Sequence, residues 1–417
     1  MPLHQKIFLL LVLLLPTQLG RHFWPDWSYV MGLRIDYLSP TIYLTDILVF
    51  GILFLWFLEK LRDFRFKFSK SLIFPVSVFV FLLANCFLAQ NQGAAIYKLV
   101  KIIEFFFLGF YVAKNFSISL YPNILISLSL SVVYSSLIAL AQFLKQSSLG
   151  GIFWWLGERT FNAGTPGIAK INIGGRLFLR PYATFPHPNV LAGFVLVSFL
   201  LSAPVVYRKN KLCFILYTFF FILSLVFSFS RSTWLVGFLI ILLVTGRLKK
   251  LRLAIFGLAF FSLLILLIKQ PIFPEESFSQ RMELNKISLH LIKLSPITGI
   301  GLNNFIVSLP KFQQGQILWL QPVHNIYLLV AVETGLVGLV IFGWFLILSY
   351  KRLLSCYTRY LVIFNKKRDI EISRYQNSLL IALTAILALG LFDHYWLTLQ
   401  QTQLLLAIVL GLAWGKC

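Results

Sequence analysis

The chain has 417 residues, of which 59% are hydrophobic and only 12% are charged, and its formal net charge is +23. This composition, with a mean hydropathy of +0.83, excludes a soluble globular domain and predicts a membrane protein. The positive charge does not indicate nucleic acid, because Lys and Arg are spread over many short segments and form no single basic surface. We expect membrane lipids as partners and no nucleic acid.

The apolar stretches predict an all-α, polytopic membrane fold. They approach the ~20-residue length of a bilayer span, and no alternating pattern of a β-barrel is visible. About twelve spans are expected in a single membrane domain, residues 1–417. They lie near 6–20, 40–58, 71–89, 94–113, 122–144, 187–206, 211–229, 232–246, 252–268, 325–349, 377–394 and 397–415. No small-x-small cleavage site follows the first stretch, so we expect a retained anchor.

The distribution of Lys and Arg predicts the topology. Basic residues gather in alternate connections, near 60–70, 114, 208–211 and 247–252, and in a basic loop at 350–376. The positive-inside rule places these connections and both termini in the cytoplasm, with the protein in the cytoplasmic (inner) membrane. Two long segments, 145–186 and 269–324, then face outward, the second lying between spans nine and ten. Long loops usually carry function, so we expect an extracytoplasmic active site.

The second outer segment contains a helical pattern. Between 279 and 294, apolar residues recur among basic ones at a spacing typical of an amphipathic helix. We expect this helix to lie in the membrane interface.

Two arginines on the outer side are candidates for binding an anion. Arg180 precedes the helix entrance at Pro188-Asn189, where free amide hydrogens attract negative charge. Arg231 lies in a short hairpin between Ser230 and Ser232, whose hydroxyls would add donors. Guanidinium groups bind phosphate in a bidentate manner, which predicts a phosphate-bearing substrate. Snorkelling of Arg231 and contact with lipid headgroups are the alternative interpretations.

Two lysines lie near the outer end of span four. Lys98 and Lys101 are almost one helical turn apart, and Glu104 follows three residues later. One interpretation is an internal pair between Lys101 and Glu104. The other is that Lys98 or Lys101 faces a central cavity and contacts a lipid diphosphate.

A polar pair begins span ten. The imidazole of His324 can accept a proton near neutral pH, and Asn325 could orient it or a sugar hydroxyl. Glu333 is ~13 Å further along the helix, so we expect it to brace a neighbouring helix. Gly335 and Gly338 would allow close helix packing. The roles of His187, His290 and His394 stay open.

These motifs together resemble the signature series of the O-antigen ligase and polymerase superfamily. The series spans about 180–345 and comprises Arg180 with Pro188-Asn189, Ser230-Arg231-Ser232, Arg281, the segment 295–305 and His324-Asn325-x9-Gly335-x2-Gly338. The resemblance implies a GT-C-like membrane glycosyltransferase. Such enzymes move glycan from undecaprenyl diphosphate to a hydroxyl of a glycan, lipid or protein acceptor outside the cytoplasm.

The resemblance also implies roles for individual residues. His324 would be catalytic, and Arg180 and Arg231 would hold the diphosphate, while Arg281 matches a family position without a specified role. No metal or other cofactor is implied, and the outer segments contain no Asp-x-Asp motif. Attack opposite the leaving group predicts inversion at the anomeric carbon.

The sequence leaves other activities open. We favour ligase-type transfer because the His-Asn-x9-Gly-x2-Gly match is close, with a polysaccharide polymerase as the main alternative. Protein O-glycosylation and a flippase of lipid-linked sugars are weaker alternatives. A flippase would favour inverted repeats with paired broken helices, and we find no such repeat.

Overall fold

The computed structural model describes residues 1–61, 73–116, 120–247, 275–313, 319–362 and 367–415. Helices dominate these residues. In chain order they are α1 (Leu3–Leu13), α2 (Leu44–Leu61), α3 (Ile73–Leu88), α4 (Gln92–Asn115), α5 (Tyr121–Lys145), α6 (Pro188–Lys209), α7 (Lys211–Phe227), α8 (Arg231–Arg247), α9 (Glu275–Leu294), α10 (Phe305–Ser308), α11 (Ile326–Val362), α12 (Lys367–Leu389), α13 (Tyr395–Thr398) and α14 (Gln400–Trp414).

The helices agree with a helical membrane protein. Four segments among the described residues are long and apolar enough to cross a membrane, namely Tyr121–Lys145, Pro188–Lys209, Ile326–Arg359 and Ile372–Leu389. Every predicted apolar stretch except 252–268, which lies outside the described residues, overlaps a described helix. The number of crossings and their direction stay predictions.

The described helices differ from the predicted spans and loop at three places. The first apolar stretch was expected to run to residue 20, but α1 ends at Leu13, three residues before Pro16, which disfavours helix at the residue before it. The last stretch is interrupted because Leu399 is extended, so that α13 and α14 are separate helices. The region 350–376 is not mainly a loop, since α11 extends to Val362 and α12 begins at Lys367. Its lysines and arginines are good helix formers.

The main apolar core lies where α5, α6, α12 and α14 meet, and α4 packs against α14. The last contact depends on two glycines. A Cβ on Gly411 would lie 2.6 Å from the carbonyl oxygen of Gly109, and one on Gly109 would lie 3.1 Å from that of Ala407. Small residues therefore allow these two helix backbones to touch.

Helix α11 is broken at Gly335, which has φ +67° and ψ −173°. The loop after α9 docks at the break: the N–H groups of Ile300 and Gly301 donate to the carbonyls of Val332 (2.9 Å) and Glu333 (3.0 Å), and Leu336 N–H donates to Pro296 (2.8 Å). A Cβ on Gly335 would lie 2.1 Å from the carbonyl oxygen of Ile297. Gly335 therefore admits a loop into the helix, where the sequence had suggested helix packing alone.

The outer segments contain short strands that the sequence did not predict. Between α1 and α2, β1 (Gly20–His22) pairs with β4 (Thr41–Tyr43), and β2 (Tyr29–Val30) pairs with β3 (Leu33–Arg34). Between α5 and α6, a 3₁₀ turn is followed by a hairpin of β5 (Lys170–Ile173) and β6 (Arg176–Leu179). Gly174-Gly175 supplies two positive φ angles for the hairpin turn. The predicted helix at 279–294 lies within α9, and its position relative to the membrane stays a prediction.

Candidate active site

A buried carboxylate lies at the centre of the polar cluster. Asp393 follows α12, and its Oδ1 is 3.2 Å from Nδ1 of His324. The backbone N–H of His394 donates to the same oxygen (2.9 Å), and the rings of His324 and His394 are 5.1 Å apart. Because an ionised carboxylate only accepts hydrogen bonds, Asp393 holds the Nδ1–H tautomer of His324. The lone pair of Nε2 is then available to accept a proton.

The position of His324 is set by the start of α11. Asn325 caps this helix, since its Oδ1 accepts from the N–H groups of Tyr327 (2.9 Å) and Leu328 (3.0 Å). The N–H of Ile326 donates to the carbonyl of Gly390 (2.8 Å), at the end of α12. These contacts hold His324 beside the turn that carries Asp393. The role of Asn325 seen here is to cap the helix.

Arg180 joins this cluster through Asn189. Its Nη2 donates to Oδ1 of Asn189 (2.7 Å) and its Nε to the carbonyl of Ser228 (2.8 Å). The amide nitrogen of Asn189 is 3.4 Å from Oδ2 of Asp393. Burial and the charge of Arg231 lower the pKa of Arg180 to about 10, so the guanidinium stays charged at neutral pH. This chain of contacts links Arg180 to His324.

Arg231 begins α8, close enough to Arg180 for their charges to interact. It is partly exposed. Ser230 is buried and its hydroxyl lies 2.9 Å from that of Thr233. This hydroxyl therefore has a partner in the first turn of α8, and its predicted donation to the anion pocket stays a prediction. Ser232 is partly exposed and keeps that predicted role.

Arg281 holds the turn that presents Asp393. It lies on α9, and its Nη1 donates to the carbonyl of Phe392 (2.7 Å). Burial alone would raise the pKa of Asp393, but the electrostatic interaction and hydrogen bond with His324, followed by the interactions with His394 and Arg281, lower it. Asp393 is therefore ionised at neutral pH.

Two further histidines surround the cluster. Nδ1 of His187 accepts from the N–H of Asn189 (3.1 Å), and Nδ1 of His394 is 2.7 Å from the hydroxyl of Thr398. Burial, reinforced by Arg180, lowers the pKa of His187 to about 3. Burial lowers the pKa of His394 to about 3, although Asp393 opposes the shift. Both imidazoles are therefore neutral at pH 7, and the exposed His290 lies apart from them, against Phe312.

The lysines of α4 have other partners. Lys101 Nζ is 2.6 Å from Oδ2 of Asp46 and 2.9 Å from Oε2 of Glu104, so the internal pair is present. Lys98 Nζ donates to the carbonyl of Leu397. These two carboxylates give Lys101 protein partners, so its contact with a diphosphate stays a prediction without structural support. Lys98 points towards the carbonyl of Leu397 and the buried Glu333, which gives no support to that role.

Glu333 is buried, and its carboxylate accepts the N–H groups of Asn303 and Phe305. It therefore holds the loop before α10, where the sequence had suggested that it braces a helix. Asn85 on α3 completes this junction by donating to the carbonyls of Thr298 (2.7 Å) and Glu333 (3.0 Å).

The cluster also offers ligand atoms for a metal. The available nitrogen or oxygen atoms of His324, Asp393 and His394 lie within 4.8 Å of one another. However, the cations Arg180 and Arg281 border the cluster, and the Nδ1 atoms of His324 and His394 are engaged in hydrogen bonds. Positive neighbours disfavour a bound cation, so we assign the cluster as a hydrogen-bonded one.

Sequence reasoning missed the central carboxylate. The pair Asp393-His394 is visible in the last outer connection, but such a pair is common by chance. One signal was available in the sequence: Asp393 is an acidic residue near the end of a predicted span, on the side where most charged residues are basic. Contacts over 69 and 204 residues of sequence, to His324 and Asn189, were needed to identify it.

Comparison with known proteins supports the motif series. The family model of the O-antigen ligase (Wzy_C) matches residues 216–343, which include Arg231, Arg281 and His324. No curated protein matches the chain. Arg180, Asn189 and Asp393 lie outside the matched residues, yet the fold brings them to His324. The match over these residues supports membership of the O-antigen ligase family.

Proposed function

We propose that this protein transfers a glycan from undecaprenyl diphosphate to an acceptor hydroxyl on the outer face of the cytoplasmic membrane. The family match supports a membrane glycosyltransferase of the ligase and polymerase type. The observation that carries the finer proposal is the connected series Arg180–Asn189–Asp393–His324. It joins a cation suited to a diphosphate with a base suited to a hydroxyl.

The base in this proposal is Nε2 of His324. Asp393 fixes the other ring nitrogen as a donor and stabilises the imidazolium that forms when Nε2 takes the proton. Positioned bases of this kind contribute about 10²–10⁴-fold to the rate. The buried, neutral His394 packs beside His324 and adds no second positive charge at neutral pH.

The leaving group in this proposal is the lipid diphosphate. The acceptor oxygen bonds to the anomeric carbon, and the bond from that carbon to the phosphate oxygen breaks with its electron pair on the diphosphate. Among the described contacts, Arg180 uses Nε and Nη2 for protein partners, which leaves Nη1 for this charge. Arg231 supplies a second guanidinium nearby. Attack from the side opposite the diphosphate inverts the configuration.

The acceptor distinguishes ligase from polymerase. The family description favours a ligase, in which the acceptor differs from the transferred glycan. A polymerase would use the same base and the same cations, with a second lipid-linked glycan as acceptor. We therefore propose ligase-type transfer and test both acceptors.

The test uses purified protein in lipid nanodiscs with an undecaprenyl-diphosphate-linked oligosaccharide and two acceptors, a lipid A-core and a second lipid-linked glycan. We expect free undecaprenyl diphosphate together with glycan on the lipid A-core. His324→Ala should slow this transfer by about 10²–10⁴-fold, and His290→Ala, at an exposed position on α9, should retain it. Glycan only on the second lipid-linked glycan would identify a polymerase. If neither membranes that contain the protein nor the purified protein transfers glycan to either acceptor, the proposal is contradicted.

A further inference from the structure

A shallow surface cavity of about 380 Å³, widely open to solvent, lies beside the start of α4, away from the contacts of His324. Its volume lies within the range of about 300–1,000 Å³ that is typical of ligand pockets. Its lining residues are Trp27, Gln90, Asn91, Gln92, Gly93 and Val307. They come from three segments predicted to face outward, so the cavity lies on the side expected for the glycan substrate.

The indole of Trp27 is held firmly at this cavity. A Cβ on Gly93 would lie 2.7 Å from the indole ring, so the ring packs directly on the backbone of α4. The carbonyl of Trp27 accepts from Nδ2 of Asn91 (2.7 Å), and Oδ1 of Asn91 caps α4 through the N–H of Ala94 (3.0 Å). Asn91 is therefore a scaffold residue, and it fixes the position of the tryptophan.

The two glutamines keep polar groups for a ligand. Gln92 donates its Nε2 to the carbonyl of Phe87 (3.0 Å), and Gln90 accepts from Nζ of Lys311 at its Oε1 (2.9 Å). Among the described contacts, Oε1 of Gln92 and Nε2 of Gln90 have no protein partner. The cavity thus offers one acceptor and one donor beside an aromatic ring, and both glutamines are exposed.

This combination suits a sugar ring. The C–H groups on one face of a pyranose pack against an indole, while neighbouring hydroxyls both donate and accept hydrogen bonds. An aromatic surface with a small number of placed polar groups is the usual composition of a small-molecule site. The side chains of the cavity include no carboxylate and, at its edge, one cation, Lys311, which favours a neutral or acidic sugar over a basic one.

The cavity is physically joined to the His324 cluster. One apolar cluster connects the two regions. It contains Trp27 and Val307 from the cavity together with Tyr37, Val30 and Leu38. The ring of Tyr37 packs edge-on against His394 at 5.5 Å, and the carbonyl of Tyr37 accepts from Asn303 (3.0 Å). Asn304 then pairs with Asn91 through bonds of 2.8 and 3.1 Å. The cavity and the candidate active site therefore share one rigid support.

We propose that this cavity binds a sugar residue of the glycan substrate at a distance from the bond that is broken. This assignment rests on the proposed function, since it makes the cavity a subsite of the same enzyme. Binding energy from a remote sugar unit positions the reacting end of a long glycan.

Binding is tested with the oligosaccharide that mild acid releases from the host's lipid-linked glycan, titrated by calorimetry against protein in nanodiscs. We expect Gln90→Ala and Gln92→Ala each to raise the Kd at least threefold, and the double variant at least tenfold. Trp27→Phe should raise it as well while it preserves packing on Gly93. Trp155→Ala, which alters an exposed tryptophan of the 146–187 segment, is the matched control and should leave the Kd unchanged.

The outcomes separate this proposal from the proposed function. His324→Ala should slow transfer and retain oligosaccharide binding. If transfer occurs but the glutamine variants alter neither the Kd nor the KM for donor or acceptor, the sugar subsite is refuted and the enzyme assignment stands. If the oligosaccharide binds through Gln90 and Gln92 but no acceptor is glycosylated, the subsite stands and the proposed reaction is refuted. No binding to the wild type would also refute the subsite.

Discussion

Nδ1 of His324 lies 3.2 Å from Oδ1 of Asp393, although 69 residues separate them in the chain. His324 precedes the broken helix α11, and Asp393 follows α12 in a turn held by Arg281. The contact turns an interfacial histidine into an imidazole of defined tautomer. That is the property a base for an acceptor hydroxyl requires.

Replacement of the carboxylate tests this relationship. Asp393→Asn preserves the size of the side chain but removes the charge that stabilises imidazolium at His324. We expect the transfer rate to fall by about 10²–10⁴-fold, with little change in the KM for the donor. Single-turnover rates with nanodisc-embedded protein measure this effect. An Asp393→Asn rate within threefold of wild type would show that the carboxylate is not used.

Arg180 is expected to stabilise the diphosphate, and a lysine cannot replace it. Lysine is a point charge and cannot hold the Ser228 carbonyl, Asn189 and a ligand in one plane. We expect Arg180→Lys to lower kcat by about 10²–10³-fold, the usual cost of losing one oriented donor. Arg176→Lys, on the exposed end of the β5–β6 hairpin, is the control and should retain activity. Equal rates for both variants would contradict the assignment.

The buried histidines predict how stability depends on pH. The pKa values of His187 and His394 are lowered to about 3 in the fold, whereas an unfolded histidine titrates near 6.5. At these two residues the unfolded chain therefore binds more protons between these values, and their contribution to stability should fall as the pH is lowered from 6.5 towards 3. The slope is at most about 1.4 kcal/mol per pH unit for each histidine.

Thermal unfolding in detergent between pH 4 and pH 8 measures this dependence. Asp393 titrates below this window in the fold and near 3.9 when unfolded, so it adds little to the slope above pH 5. His187→Gln and His394→Gln should each flatten the decline, whereas His290→Gln, at an exposed position, should not. A pH dependence that is the same in the wild type and in both histidine variants would contradict the prediction.

The break in α11 predicts a position where a single methyl group is harmful. Gly335→Ala would place Cβ 2.1 Å from the carbonyl oxygen of Ile297 and force a positive φ on alanine. The backbone strain alone costs about 1–3 kcal/mol, and the displaced loop should add to it. Gly343→Ala, in the same helix with open space around it, is the matched control. Thermal unfolding should show a loss only for Gly335→Ala.

The cluster is expected to work without a metal. Although His324, Asp393 and His394 offer three ligand atoms, their neighbours Arg180 and Arg281 supply positive charge in place of a cation. Treatment with EDTA, followed by transfer assays in metal-free buffer, should leave the rate within twofold of the untreated enzyme. Loss of activity that Mg²⁺ or Zn²⁺ restores would contradict this prediction.

Local patterns in the sequence were sufficient to predict the helices, and they singled out the arginines and the histidine that the site proposal uses. The spacing of apolar residues, the length of the apolar stretches and the motif series from Arg180 to Gly338 can all be recognised along the chain. Long-range choices were not readable: whether Lys101 meets a substrate or Asp46, and whether Gly335 packs a helix or admits a loop. These depend on segments that are distant in sequence, as does the contact between Asn189 and Asp393.

The short strands and the contact of the Ser230 hydroxyl were also not predicted, for physical reasons. The strands of the outer segments are two to four residues long, too short for their alternation to stand out from irregular chain. The hydroxyl of Ser230 is expected in the pocket because its neighbour is Arg231, and its contact with Thr233 in the first turn of α8 was not predicted.

The central claim is that His324 and Asp393 act as one unit in glycan transfer, and a double-mutant cycle tests it most directly. Rates are measured for wild type, His324→Ala, Asp393→Asn and the double variant, with the same donor and lipid A-core acceptor. Groups that act together give losses that do not add. We predict that the double variant is no slower than His324→Ala alone within a factor of about three. Losses that multiply fully, or a His324→Ala enzyme that still transfers at the wild-type rate, would contradict the account.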